Sequence, residues 1–210
     1  MRPGISSKAK APSKGPGEPT DHDLVNRANG GDSDAFDALV TRHQDRVFGT
    51  VLRIVGNRED ALDLSQEIFL TVFQRLDRFL GKAKFSTWLY RIAVNRCRDE
   101  LRRRGFVKHT RPASLDATRP DGDPLREPAS TGPAPEERAE ANETSAVVHA
   151  ALAELPEEAR EIVVLRDLEG LSYEETADVL EVPVGTVRSR LSRARVLLRD
   201  KLIPRLGHES

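Results

Sequence analysis

Apolar residues fall into a helical rhythm from Asp21 onward. A Leu24/Val25 pair is followed by Phe36, Leu39, Val40, Val47, Val51, Leu52 and Val55 within residues 33–55, spaced three and four apart as one face of a helix requires. Gly56 is placed to close this helix as its C-cap. Asn57 is an N-cap for the next helix, Glu59 and Asp60 suit its positive end, and Leu62, Phe69, Phe73 and Leu76 form its expected apolar stripe, running to about Phe79. After the short loop 80–84, Ser86 or Thr87 can cap a long helix from Trp88 to about Arg104, with Leu89, Tyr90, Ala93, Val94, Cys97 and Leu101 on its core side.

The rhythm then stops. Residues 112–143 hold six of the thirteen prolines together with glycines and acids, the composition of an extended, flexible connection. Periodicity resumes over Thr144–Leu155 and again over Pro156–Leu168, with Pro156 suited to a first helical turn and Gly170 to a stop. The expected fold is all-α: two small helical domains joined by a flexible linker. Residues 1–20, rich in proline, glycine and lysine, form a disordered tail. Residues 21–110 form the first domain, 111–143 the linker and 144–207 the second domain.

Leu171–Leu202 has the outline of a helix-turn-helix. Ser172 and Glu175 form a capping box, Glu181–Pro183 makes the turn, and the second helix runs from about Val184 to Arg199. At ~100° per residue, Val187, Leu191, Ala194 and Leu198 fall on one side, while Arg188, Ser189, Ser192, Arg193 and Arg199 spread across the other. Arginine can hold a guanine edge with two bonds or grip phosphate, and short serines allow close approach to the major-groove floor. This helix reads as a duplex DNA reader.

Charge refines that picture by its distribution rather than its sum. The net charge is −1, yet residues 91–111 carry eight basic residues against Asp99 and Glu100. On the helix from Trp88, the side away from the core presents Trp88, Ile92, Asn95, Asp99 and Arg102. An aromatic face beside arginines can stack bases and hold phosphates of a single strand. Alternatively, Trp88 tucks under the preceding loop as a satellite of the core. Asp63, Gln66 and Glu67 share the side of their helix opposite the expected stripe, either a patch for basic partner residues or an ordinary solvated face.

Composition excludes other classes. Cys97 is the single cysteine, so neither an internal disulfide nor a cysteine-rich metal site is available, which suits a reducing, cytoplasmic setting. No apolar run reaches the length of a membrane span. The five histidines are scattered, so no metal, cofactor or nucleophile–base pair is expected and the chain does not read as an enzyme.

Three stretches carry a resemblance to a known family: Asp63-Leu-Ser-Gln-Glu-Ile-Phe-Leu70 with Arg78-Phe-Leu-Gly81, then residues 85–96 (FSTWLYRIAVNR), then 183–191 (PVGTVRSRL). In this order they resemble the extracytoplasmic-function group of bacterial sigma factors over roughly residues 21–110 and 144–203. That resemblance implies a stress- or envelope-responsive initiation factor. It would join core RNA polymerase through the clamp helices of the largest subunit and the flap of the second-largest. It would bind promoter DNA and answer to an anti-sigma factor.

The resemblance places Asp63, Gln66 and Glu67 at the clamp helices. Phe79, Gly81, Lys82, Trp88, Ile92, Asn95, Arg96 and Asp99 would lie at the single-stranded minus-ten element, around a pocket for a flipped base. Thr186, Arg188, Ser189, Ser192 and Arg193 would lie at the minus-thirty-five duplex. In this group the linker replaces an ordered third region and would occupy the RNA exit path. A plain helix-turn-helix repressor would account for residues 171–202 but leave the Trp88 face and the Asp63 patch without a task.

Overall fold

A computed structural model describes residues 18–110 and 135–206. The expected tail over residues 1–17 and the expected connection over 111–134 lie outside the described residues. Among the described residues all regular elements are helical.

The first unit holds α1 (Asp21–Asn29), α2 (Ser33–Val55), α3 (Arg58–Arg75), a single 3-10 turn (Leu76–Arg78) and α4 (Phe85–Thr110). Local chemistry sets most boundaries. The Asn57 side chain accepts from the Asp60 amide at 3.0 Å to start α3. Gly56 ends α2 at φ 73°, a left-handed backbone that a Cβ would strain. α4 starts three residues ahead of Trp88: the Trp88 amide already donates to the Lys84 carbonyl at 3.2 Å, and Thr87 is buried inside the first turn. Neither Ser86 nor Thr87 is therefore its cap.

The expected stripe on α3 needs a larger correction. Ala61, Leu64, Ile68 and Val72 face the core, whereas Leu62 and Phe73 are 44% and 62% exposed and Phe69 is half-buried. Only Leu76 of the expected set is buried. The helix is apolar on two sides: Ala61, Leu64, Ile68 and Val72 are buried toward α2 and α4, while Leu62, Leu70 and Phe73 face outward.

The second unit holds α5 (Pro135–Ala153), α6 (Glu157–Val163) continuing as a π turn (Val164–Leu168), α7 (Tyr173–Leu180) and α8 (Val184–Leu206). α5 begins nine residues before the apolar pattern does, inside the stretch expected to be extended. Its first turns, PEERAEANE, hold proline at the start and then strong helix formers. α8 runs seven residues past Arg199, held there by Glu154, which pairs with Lys201 at 3.0 Å and also with Arg205.

The two units pack directly on each other. α2 meets α5 and α6, α4 meets α7, and the buried apolar residues of both units form one continuous cluster. Polar groups seal the joint. Arg160 donates to the Ile54 carbonyl at 2.6 Å and to the Leu152, Ala153 and Leu155 carbonyls at 2.9, 2.8 and 3.0 Å. The Ile54, Leu152 and Ala153 carbonyls belong to helix ends, which leave them without an internal partner. Glu161, 1% exposed, accepts two bonds from Arg98 at 2.8 and 2.6 Å. Burial outweighs those bonds and raises the Glu161 carboxyl above its ordinary value.

Candidate functional site

The loop between α3 and α4 shapes a cleft of about 320 Å³ lined by Phe79, Gly81, Lys82 and Trp88, with Arg78 and Arg91 adding charge. Gly81 turns the loop at φ 69° beside His22 of α1, where a Cβ would be strained by its backbone and stand 3.5 Å from the imidazole. Phe79, Phe85 and Trp88 form one aromatic group: Phe79 lies 5.4 Å and Phe85 5.9 Å from Trp88 between ring centroids, and Phe79 meets Phe85 edge-on at 5.7 Å. The Trp88 ring packs on the core, as the satellite reading expects, and remains half-buried against the cleft. An aromatic wall flanked by guanidinium and ammonium groups can stack a base and hold its phosphates.

Four of the eight expected single-strand residues line this cleft. Ile92, Asn95 and Arg96 continue along α4, half-buried, and Asp99 lies eleven residues beyond Trp88, ~16 Å along the helix. Two of these are already paired within the chain: Arg96 with Glu67 at 3.0 Å and Asp99 with Arg102 at 2.6 Å. Arg91 was missed as a cleft residue, although its place one turn after Trp88 puts both on one face.

In the second unit the capping box forms as expected: the Glu175 amide donates to Ser172 Oγ at 3.0 Å and the Ser172 amide to Glu175 Oε2 at 2.8 Å. Glu181 takes the left-handed backbone at φ 57° and makes the tight turn into α8. Val187, Leu191 and Ala194 are buried, while Arg188, Ser189, Ser192 and Arg193 stand exposed on the far side and Thr186 is half-buried. The Arg188 guanidinium rests 5.6 Å over the Tyr173 ring, which orients it without neutralising it.

Asp63, Gln66 and Glu67 are all exposed on α3. They border the second apolar side of that helix rather than lying opposite it. There Phe36 and Val40 of α2 and Leu62, Phe69, Leu70 and Phe73 of α3 line a groove of about 720 Å³, with Gln66 on its wall. Phe36 meets Phe73 edge-on at 5.0 Å. A solvent-facing apolar groove rimmed by polar residues has the form of a protein-docking surface. The signal is present in the sequence as a second set of apolar residues at helical spacing on α3, Leu62, Phe69 and Phe73.

Comparison with known proteins agrees with this arrangement. A family model described as Sigma-70 region 2 matches residues 39–107, and one described as Sigma-70, region 4 matches residues 145–198. The RNA polymerase sigma-H factor of Pseudomonas aeruginosa is 40% identical over 191 residues, covering 89% of this chain and 95% of that protein. The ECF RNA polymerase sigma-E factor of Escherichia coli is 40% identical over 191 residues, covering 88% and 95%. Among solved structures, CnrH in complex with the cytosolic domain of CnrY superposes with a TM-score of 0.61 at 26% identity, over 90% of this chain and 99% of that one. The sigma factor RpoE of Bartonella quintana, in complex with the anti-sigma factor NepR, shares the fold with a TM-score of 0.63 at 22% identity, over 83% and 98%.

Proposed function

Because the chain belongs to the extracytoplasmic-function sigma factors of the sigma-70 family, we propose that its two helical units divide promoter recognition between them, single strand to the first and duplex to the second. It binds core RNA polymerase, directs it to particular promoters and promotes strand opening. It acts by binding and positioning in the cytoplasm, while the polymerase supplies the chemistry.

The observation that supports this division is an aromatic, basic cleft in the first unit and an exposed arginine face on α8 of the second, two surfaces of different character in one chain. Residues 21–110 open and hold the minus-ten element, with Phe79, Gly81, Lys82 and Trp88 around a flipped base and Ile92, Asn95, Arg96 and Asp99 following the strand. Unstacking that base costs a few kcal/mol, which the cleft contacts must offset. Residues 144–207 read the minus-thirty-five duplex through Thr186, Arg188, Ser189, Ser192 and Arg193.

The α3 groove with Asp63, Gln66 and Glu67 receives the polymerase clamp helices: Leu62 and Phe73 supply apolar anchors and the carboxylates meet basic partner residues. The second unit meets the flap of the second-largest subunit. An anti-sigma factor regulates the chain within a stress or envelope response, as the solved complexes of its structural relatives suggest.

The test is permanganate reactivity of unpaired promoter thymines. Trp88→Ala and Asn95→Ala should leave closed-complex formation intact and reduce opening. Normal opening in both variants would return Trp88 to a purely packing role.

A further inference from the structure

The chain enters its first unit at a fixed point beside the single-strand cleft. Arg42 of α2 donates to the Pro19 carbonyl at 3.0 Å and to Asp21 Oδ1 at 2.6 Å. Asp21 Oδ2 lies 2.9 Å from Nε2 of the buried His43, whose ring stands 5.3 Å from Phe85 of the aromatic group. Thr20 and Asp23 complete this anchor with a capping box: the Thr20 amide donates to Asp23 Oδ2 at 3.0 Å and the Asp23 amide to Thr20 Oγ1 at 3.2 Å. In the same turn His22 lies against Gly81 of the cleft wall. Only two side chains, His43 and Phe85, separate the anchor from Trp88.

The sequence ahead of the anchor carries a single sign of charge. Residues 1–17 hold Arg2, Lys8, Lys10 and Lys14 and no acid, with Glu18 the one carboxylate before Pro19. Asp21 and Asp23 are taken up in the anchor itself. Seventeen residues reach at most ~60 Å when fully extended, and Lys14 stays within ~18 Å of the Pro19 carbonyl. The empty cleft repels these cations, since its lining sets Arg78, Lys82 and Arg91 against Asp178 alone. A strand held in the cleft reverses the sign. Its phosphates beyond the loop then face four tethered cations at the high local concentration that a short tether imposes.

We propose that Arg2, Lys8, Lys10 and Lys14 form a further phosphate-binding segment for promoter DNA, delivered by the Arg42–Asp21 anchor to the strand at the loop end of the cleft, away from Asn95 and Asp99. The proposal rests on the single-strand role of the cleft given above. Such contacts hold and position the strand without choosing its bases.

The test uses holoenzyme assembled from core polymerase and the full chain, either wild-type or with Arg2→Gln, Lys8→Gln, Lys10→Gln and Lys14→Gln combined. The probe is a fluorescent promoter fragment on which this protein starts transcription, with the nontemplate strand left unpaired across the minus-ten element. Each single-strand phosphate neutralised adds ~0.7 to the slope of log affinity against log salt, so losing four contacts should lower the slope by ~2.8. Between about 50 and 200 mM salt, wild-type binding should therefore fall about fiftyfold more than binding of the variant. Location is read from an iron chelate on Ser13→Cys, which cuts nearby DNA. Six residues before Pro19, it stays within ~20 Å of the anchored carbonyl. The buried Cys97 thiol, pushed up to about 12 by desolvation, stays unlabelled. Cuts should cluster on nucleotides bordering the permanganate-reactive thymines.

A salt slope unchanged by the four substitutions would overturn the proposal. A lowered slope with cuts confined to DNA away from those thymines would overturn the placement of the segment beside the cleft. A lowered slope together with normal opening in Trp88→Ala would overturn the single-strand role of the cleft and leave the phosphate contacts standing.

Discussion

Replacing Phe73 by alanine separates docking from packing on a single helix. Phe73 is 62% exposed and touches the fold chiefly through its edge-on contact with Phe36. Full burial of a phenylalanine stabilises by ~1.5–3 kcal/mol, so the third that is buried here contributes ~1 kcal/mol or less. Ile68, on the opposite side of α3, is 0% exposed, and its replacement by alanine should cost ~2–5 kcal/mol through lost burial and the cavity left behind. If the groove receives the polymerase, docking covers the rest of the Phe73 ring, and a central aromatic anchor of this kind is worth about 2 kcal/mol. Phe73→Ala should therefore shift the urea midpoint slightly while weakening core polymerase binding by about tenfold to thirtyfold, read by anisotropy titration of labelled protein. Ile68→Ala should do the reverse in proportion, losing stability first. A Phe73→Ala protein as unstable as Ile68→Ala, with unchanged polymerase affinity, would refute the assignment of this face to docking.

Three further outcomes test other parts of the account. Arg98→Ala strands the buried Glu161 carboxylate and should destabilise by ~3–5 kcal/mol in urea unfolding, with Glu161→Gln in the same chain recovering part of the loss. Glu175 is pushed up by burial but held lower overall by Lys84 and the Ser172 amide, below its ordinary 4.5. Its contribution is full above that value and fades as pH falls through the lowered one, so Glu175→Gln should flatten acid unfolding in that window. Arg188→Ala and Arg193→Ala should each weaken recognition of the upstream duplex by ~1–3 kcal/mol in gel-shift titrations of the holoenzyme and leave polymerase binding unchanged. Equal loss of polymerase binding would contradict the placement of that helix face.

The features legible in the chain were those with a local cause. Asn57, Gly56 and the Ser172–Glu175 box announce helix ends because the groups that satisfy the backbone lie within four residues of it. The exposed face of α8 followed from a single unambiguous apolar stripe. α3 defeated the same method because two stripes satisfy helical spacing, and periodicity alone does not say which meets α2 and α4. The first turns of α5 were missed because they carry propensity without an apolar face. The joint between the units was invisible for another reason. Glu169 finds Thr50 and Tyr90 at separations of 119 and 79 residues, and Glu161 finds Arg98 at 63. Polar pairs over such distances leave no pattern in the sequence, so the two helical domains were legible and the apolar cluster they share was not.

The central claim, that this chain gives core RNA polymerase its promoter choice, is tested most directly by in vitro transcription of a fragmented genomic library with purified core enzyme, with and without the protein, followed by sequencing of transcript 5′ ends. The account predicts a set of start sites that appears only with the protein and shares a common pair of upstream elements. Start sites identical in both reactions would contradict it.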